Sequence, residues 1–398
     1  MKEKFLRELA DIQTGPFGSQ LHKEDYVADG TPIVTVEHLG NKMFSEQNLP
    51  RVSNTDKNRL KKYVLKQGDI VFSRVGSVDR CSYVDQKHDG WMFSGRCLRV
   101  RPTSEIVSEY LYYYFCLEET KQFVRNISVG ATMPSINTKL LGEVVVTFPE
   151  LEQQKRISGI LSAIDSKIEV NQKINDNLEQ QAVALFKSWF VDFSLFGGTV
   201  PENWEDTTLE NITTLITRGI APKYSDNSDQ TVVNQKCIRN HTIDLSLART
   251  HTPKTINEKW LKFGDLLINS TGDGTLGRVA QVWFAPKALT VDSHVTIVRP
   301  AREELIFYIG LWGILHEKEI ESLHTGSTGQ TELPRDRVKM LKLFLPDNIS
   351  LSRFNSIIAP MASTIISNQE ENQKLANLRD TLLPKLMSGE IDVFNIQF

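Results

Sequence analysis

Lys66-Gln67-Gly68-Asp69-Ile70-Val71 and Lys262-Phe263-Gly264-Asp265-Leu266-Leu267 are two copies of one phrase, and they settle how the chain is organised. Self-similarity is the first thing to establish, because a missed repeat misassigns everything built on it. Working outward, Leu98-Arg99-Val100-Arg101-Pro102 recurs as Thr296-Ile297-Val298-Arg299-Pro300. Gly130-Ala131-Thr132 answers Gly326-Ser327-Thr328, and Val145-Val146-Thr147-Phe148-Pro149 answers Lys342-Leu343-Phe344-Leu345-Pro346. The order is kept throughout, so the chain is a duplicated unit. Its 398 residues, 40% of them hydrophobic, suffice for two or more globular cores.

Each half begins with short β-branched runs punctuated by Gly, Pro, Asn and Asp, such as Thr31 to Val36 and Val291 to Val298, which predict strands of a mixed α/β domain. After Pro149 and Pro346 the sequence changes to long stretches rich in Leu, Ile, Gln, Glu, Asn and Lys, which predict long helices. In the first, Ile157, Leu161, Ile164, Ile168, Asn171, Asn175, Leu178, Ala182, Leu185 and Trp189 alternate four- and three-residue steps, a heptad seam. The second repeats it as Phe354, Ile358, Met361, Ile365, Asn368, Asn372, Leu375, Arg379, Leu382 and Leu386, with Arg379 the departure. The paired asparagines match in either direction, but helices following equivalent domains of a two-fold repeat favour an antiparallel pair. From Ile157 to Trp189 the seam spans roughly 50 Å at ~1.5 Å per residue, long enough to act as a ruler.

Composition narrows the classes. Lysines and arginines number 46 against 49 acids, a net charge of -3, so any nucleic-acid surface must be local. The longest uncharged apolar stretch, Ile306 to Leu315, is far short of the ~20 residues of a membrane-spanning helix. Met1-Lys2-Glu3-Lys4 opens onto no signal-peptide apolar region, and a cytoplasmic protein is expected. Cys81, Cys97, Cys116 and Cys237 contain no C-x-x-C pair, which argues against a structural zinc or a disulfide framework.

These marks together resemble the DNA specificity subunits of type I restriction-modification systems. The resemblance covers almost the whole chain and rests on the Gly-Asp-hydrophobic strands and on Asn269-Ser270-Thr271-Gly272 running into Gly277-Arg278-Val279. It rests equally on Pro149-x-Leu151-Glu152-Gln153 leading to Ile157, and on Leu382 to Ile391 leaving the second helix. Two departures stand out: Asp347-Asn348-Ile349-Ser350-Leu351 lacks the Glu-Gln of the first helix start, and the first domain lacks the Thr-Gly-x-Gly stretch. The resemblance implies an α/β (mixed) fold with two similar target-recognition domains, residues 1–149 and 196–348. Spacer helices over 150–195 and 349–391 would pair as an antiparallel coiled coil in a pseudo-two-fold repeat, followed by a tail over 392–398. It further implies double-stranded DNA as ligand, each domain reading half of a split asymmetric target. Two methyltransferase subunits would dock on the helices, with restriction or translocase subunits where the system has them. S-adenosylmethionine, ATP and Mg2+ are expected only in those partners, and no catalysis or metal here. A coiled-coil interaction scaffold that reads no DNA is the alternative.

Three stretches suggest chemistry and fail on inspection. Gly272 to Gly277 fits G-x-G-x-x-G, but Arg278 to Trp283 alternates like a strand and supplies no helix N-terminus for a pyrophosphate, so a turn between strands is expected. Asp69 with Asp85-x-Lys87 imitates a metal-dependent nuclease, yet only Asp69 has a counterpart, Asp265, which points to a turn or cap residue. Glu109 to Phe115 could stack bases, but its counterpart Glu304 to Ile309 is merely apolar, so a core helix is expected. There is no G-x-x-x-x-G-K-[ST] loop, H-E-x-x-H helix or Asn-Pro-Pro-aromatic motif.

Duplex DNA is read by Arg or Lys on guanine and Asn or Gln on adenine, and held by Lys, Arg, Ser and Thr on phosphates. Candidates in the first half are Ser19, Gln20, His22, Arg59, Lys61, Arg74, Ser77, Arg80, Thr132, Asn137 and Lys139. In the second half they are Arg218, Lys223, Gln235, Lys236, Arg239, Asn240, Ser270, Thr271, Thr275, Arg278, Ser327, Thr328, Gln330, Arg335 and Arg337. Matched positions that differ, such as Arg74-Val75 against Ser270-Thr271, are where two readers of different bases should diverge.

Overall fold

Every residue of the strands Ile70–Ser73 and Leu266–Asn269 is buried, because each is an inner strand covered on both faces. The period of two still operates: Ile70 and Phe72 enter one core and Val71 another, as Leu266 and Ile268 part from Leu267. The computed structural model describes residues 1–16, 20–40, 42–326 and 331–395, without the Lys23 side chain. It divides the chain into two compact units, Met1–Val170 with Asn372–Phe398, and Asn171–Glu371.

In the first unit the strand order is Ala10–Thr14, Cys97–Pro102, Ile70–Ser73, Cys81–Tyr83, all antiparallel. A second sheet runs Tyr26–Val27, Arg51–Val52, Thr31–Val34, Met92–Phe93, the last pair parallel. Helix Ser108–Cys116 covers the first sheet's other face with Tyr110, Leu111, Tyr113 and Phe115 buried, so the aromatic run is core. Lys2–Phe5 pairs with Val145–Phe148 beside it.

The second unit repeats this plan. Its four-stranded sheet runs Thr213–Arg218, Val295–Pro300, Leu266–Asn269, Val279–Gln281, and its helix Ile306–Leu315 packs behind. A three-stranded sheet Arg249–Thr250, Thr231–Val233, Leu289–Val291 covers the opposite face. Glu205–Thr208 pairs with Lys342–Leu345 as Lys2–Phe5 does in the first unit. The glycine-rich stretch is a connection between antiparallel strands, with positive φ at Gly272, Gly274 and Gly277.

The Gly-Asp phrase has a structural cause. Asp69 accepts the Lys66 N–H at 2.8 Å, closing the turn before the strand, and takes Arg101 Nε and Nη2 at 2.7 Å each. Asp265 does the same with Lys262 N–H and with Arg299 Nε and Nη2. The glycine before each aspartate has positive φ, 91° at Gly68 and 88° at Gly264, where a side chain is disfavoured. The repeated Gly-Asp and Arg-Pro phrases are thus two halves of one buried bidentate clamp.

The long helices are Leu151–Phe190 and Asn348–Ser388. The first stops five residues before the expected 195, because Phe193, Gly197 and Gly198 adopt positive φ. The second ends at Ser388 rather than 391, where Gly389 turns to positive φ and Ile391 N–H closes on Lys385 O. Each unit takes one half of each helix. In the first, Ile157, Ile160 and Leu161 share a core with Leu383, Leu386 and Met387. In the second, Ala182, Phe186 and Trp189 share a core with Leu351, Phe354 and Ile358. Starts therefore meet ends, the antiparallel order. Asn368 Nδ2 donates to Asn175 Oδ1 at 2.8 Å, and the buried Asn171 donates to Glu371 at 2.7 Å. The departure at Arg379 is matched by Asp165, which accepts Arg379 Nη1 at 2.8 Å and the Tyr113 hydroxyl at 2.5 Å. Ile164, Ile168, Leu178, Leu185, Met361, Asn372, Leu375 and Leu382 are half-buried along the seam, and Ile365 is buried.

The two helix starts are capped differently. Gln154, fully buried, bridges Pro149 O and the Val107 N–H. Asp347 instead accepts the Ile349 and Ser350 N–H groups, the Ser350 hydroxyl and the Trp204 indole N–H. Burial alone would raise the Asp347 pKa, but these hydrogen bonds prevail and hold it down to about 2.

Candidate nucleic-acid interface

At one end of each four-stranded sheet the connecting loops are braced by one backbone pattern, found twice. In the first domain Arg74 N–H donates to Arg96 O, Ile136 N–H donates to Arg74 O, and Ser135 bridges both Val75 and Val129. In the second, Ser270 N–H donates to His294 O, Leu333 N–H donates to Ser270 O, and Glu332 bridges both Thr271 and Thr325. Gly15 N–H donates to Cys97 O as Gly219 N–H does to Val295 O. A Cβ at Gly15 would lie 2.1 Å from Ser94 O, and one at Gly219 would lie 1.9 Å from Val291 O. Only glycine permits either crossing.

With the backbone matched, the side chains diverge. Arg74, Val75, Arg96 and Ser135 stand where Ser270, Thr271, His294 and Glu332 stand in the second domain. Arg74 is half-buried and donates to Gly95 O at 3.1 Å. Ser77, Arg80, Thr132 and Lys139 are exposed, as are the apolar Val129 and Met133 beside them. Asn137 is committed to the backbone, since its Oδ1 caps helix Thr138–Gly142 through the Leu140 N–H. Gln20 accepts the Tyr63 hydroxyl at 2.6 Å, and His22 is exposed. Arg59 pairs with Asp56 within one helix, and Lys61 is exposed on the following turn.

In the second domain Thr271 Oγ1 joins Gln235 Oε1 at 3.1 Å and His294 Nδ1 at 2.7 Å, and Thr275 Oγ1 donates to Thr271 O. Ser270 is a correction to the expected surface role. It is fully buried just after the inner strand Leu266–Asn269 and hydrogen-bonded to Thr296 Oγ1 at 2.6 Å. Lys223, Lys236, Arg239, Asn240, Arg335 and Arg337 are exposed, Arg278 is half-buried, and Arg337 donates to Leu323 O. Arg218 donates to Leu333 O at 2.8 Å and pairs with Glu332 at 2.6 Å. Asn240 and His241 form a two-residue turn with positive φ at both positions, the geometry that closes tight hairpins. The turn leans on the first long helix through His241 and Glu179. Ser19, Ser327, Thr328 and Gln330 lie outside the described residues.

The nuclease-like residues do not converge. Asp69 is spent on Arg101, Asp85 caps and contacts His88, and Lys87 pairs with Glu46. Among the described residues no group of three or more His, Cys, Asp or Glu is placed to hold a metal ion. No described helix is long and apolar enough to cross a membrane. Sequence reasoning missed Gly15, Gly219, Arg96, His294, Lys259 and Glu332. A signal existed in the turns Ser94-Gly95-Arg96 and Asp292-Ser293-His294, which precede the repeated strands at matching distance.

Residues 1–180 match the family model of the type I restriction modification DNA specificity domain. The chain is 29% identical over 318 residues to the type I restriction enzyme MjaIX specificity subunit of Methanocaldococcus jannaschii, covering 73% of this chain and 71% of the relative. It is 23% identical over 411 residues to the HindI specificity subunit of Haemophilus influenzae, covering 83% and 88%. The fold is similar to the crystal structure of a type I restriction-modification S subunit from M. genitalium, with TM-score 0.55, 16% identity and coverage of 97% and 95%.

Proposed function

We propose that the chain is a specificity subunit of a type I restriction-modification system, a reading supported by the family-model match over residues 1–180 and by the similar specificity subunits, and that each unit's loop cluster reads one half of a split, asymmetric duplex target. The paired helices set the gap between the halves and dock methyltransferase subunits. This chain supplies recognition and no chemistry; S-adenosylmethionine, ATP and Mg2+ belong to the partner subunits, including restriction subunits where present. The observation that carries the reading is the loop bracing itself, one backbone pattern built twice and carrying different side chains. A shared frame with divergent donors and acceptors is what two readers of different base sequences require. Near-neutral overall charge fits an assembly in which partners share phosphate neutralisation.

The test is a single-molecule map of methylated adenine in the source cells with and without this gene. A split motif with a fixed unspecified gap should vanish on deletion, and exchanging residues 196–348 for another family member's domain should change only one half of it. Lengthening both helices by matched insertions should change the gap alone. Identical maps in cells that express the partner methyltransferase would refute the reading and favour a scaffold that reads no DNA.

A further inference from the structure

The two loop frames differ in charge at one corner. In the second domain a cleft of about 330 Å³ opens beside the Gly219 crossing, and Arg218, Lys259 and Arg335 converge on it with Glu332 and Asp336. Lys259 Nζ donates to Gly219 O at 2.9 Å, and one Arg218 nitrogen is fixed by Leu333 O, so both cations are aimed by backbone. The bracing pattern puts Thr14, Tyr63 and Thr138 of the first domain where these three cations stand, and Ser135 where Glu332 stands. None of these four first-domain residues carries a charge.

We propose that this cleft is an anion site for one phosphate of the DNA backbone, and that Glu332 is its removable occupant. The inference rests on the DNA-reading function above. A carboxylate and a phosphate offer a guanidinium the same oxygen geometry. Glu332 holds Arg218 in the orientation a phosphate needs, yet its own side chain is 56% exposed. A pair that open is held weakly in water and is readily exchanged. Lys259 and Arg335 then supply the cations that a single exchange would lack. A phosphate contact carries no sequence information, so the site adds affinity to the second half-site whatever its bases.

The experiment uses the full chain assembled with its methyltransferase subunits, and measures binding to a target duplex and a scrambled one between about 50 and 200 mM salt, an interval worth roughly 3- to 4-fold per phosphate contact. Lys259→Gln should weaken both duplexes equally and make the slope of log K against log salt shallower by about 1. Glu332→Gln should tighten both by roughly 3-fold with a steeper slope. Wild-type binding with both variants unchanged overturns the cleft alone, as does an effect confined to the target duplex. Wild-type complex binding neither duplex overturns the DNA-reading function and the cleft with it. If inorganic phosphate at constant ionic strength raises the melting temperature of the chain while Lys259→Gln leaves the DNA slope intact, the site serves a free anion and the backbone assignment falls.

Discussion

Removing the Asp265 carboxylate should cost the second unit more than removing Asp69 costs the first, although the two aspartates accept the same three hydrogen bonds. Asp265 is fully buried, and its partner Arg299 is only 11% exposed. Asp265→Ala leaves that guanidinium with two backbone carbonyls, Glu258 O and Trp260 O, and no counter-charge. Breaking a buried pair from one side costs about 3–5 kcal/mol. For a unit of about 200 residues, at ~2–4 °C per kcal/mol, the melting temperature should fall by roughly 6–20 °C. Arg101 is 30% exposed, so water reclaims part of its charge and Asp69→Ala should cost about 2–3 kcal/mol. Calorimetry gives the size of each loss, and amide hydrogen exchange assigns it, with protection falling in 171–371 for one variant and in 1–170 for the other. Pairing Asp265→Leu with Arg299→Met should recover most of the loss, since apolar replacement of both partners removes the unpaired charge. A loss under about 1 kcal/mol for Asp265→Ala, or one no larger than that of Asp69→Ala, would refute the reasoning.

Asn175→Leu should cost about 1–3 kcal/mol by stranding the Asn368 amide, while the double change with Asn368→Leu regains stability and loosens helix register, read by denaturant unfolding and by cross-linking. The depressed Asp347 pKa stabilises the fold above the unfolded carboxylate value and is lost as pH falls from about 4 to about 2. The gap in urea midpoint between wild type and Asp347→Ala should therefore close across that range. His241 has its pKa raised by the Glu179 hydrogen bond, opposed by burial and aided by the charges of Glu179 and Glu317. That stabilisation is complete below the unfolded histidine value of about 6.5 and fades as pH rises through the folded one, so His241→Gln should flatten stability against pH there. Gly219→Ala should impair recognition of one half-site only, because its Cβ meets the Val291 carbonyl and no side-chain movement relieves that; a methylation map with both halves intact would count against the shared frame.

The sequence by itself determined the duplication, the alternation of globular unit and long helix, and the heptad seams with their central asparagines, because each is written in local phrases and in the short periods of strand and helix. It marked Asp69 and Asp265 as structural, since only they recur. Helix direction was legible only through the two-fold argument; contacts decided it, because the seam reads alike both ways. What the tertiary structure alone decided is which polar residues remain available. Ser270 and Asn137 look like surface readers in sequence, yet one is fully buried and the other caps a helix. Arg379 looks like a flaw in the seam until Asp165, which also accepts the Tyr113 hydroxyl, meets it from the first helix. The loop frame is likewise invisible in one dimension. It is made of backbone hydrogen bonds between segments distant in the chain, and backbone donors and acceptors are the same in every residue but proline, so no side chain announces it.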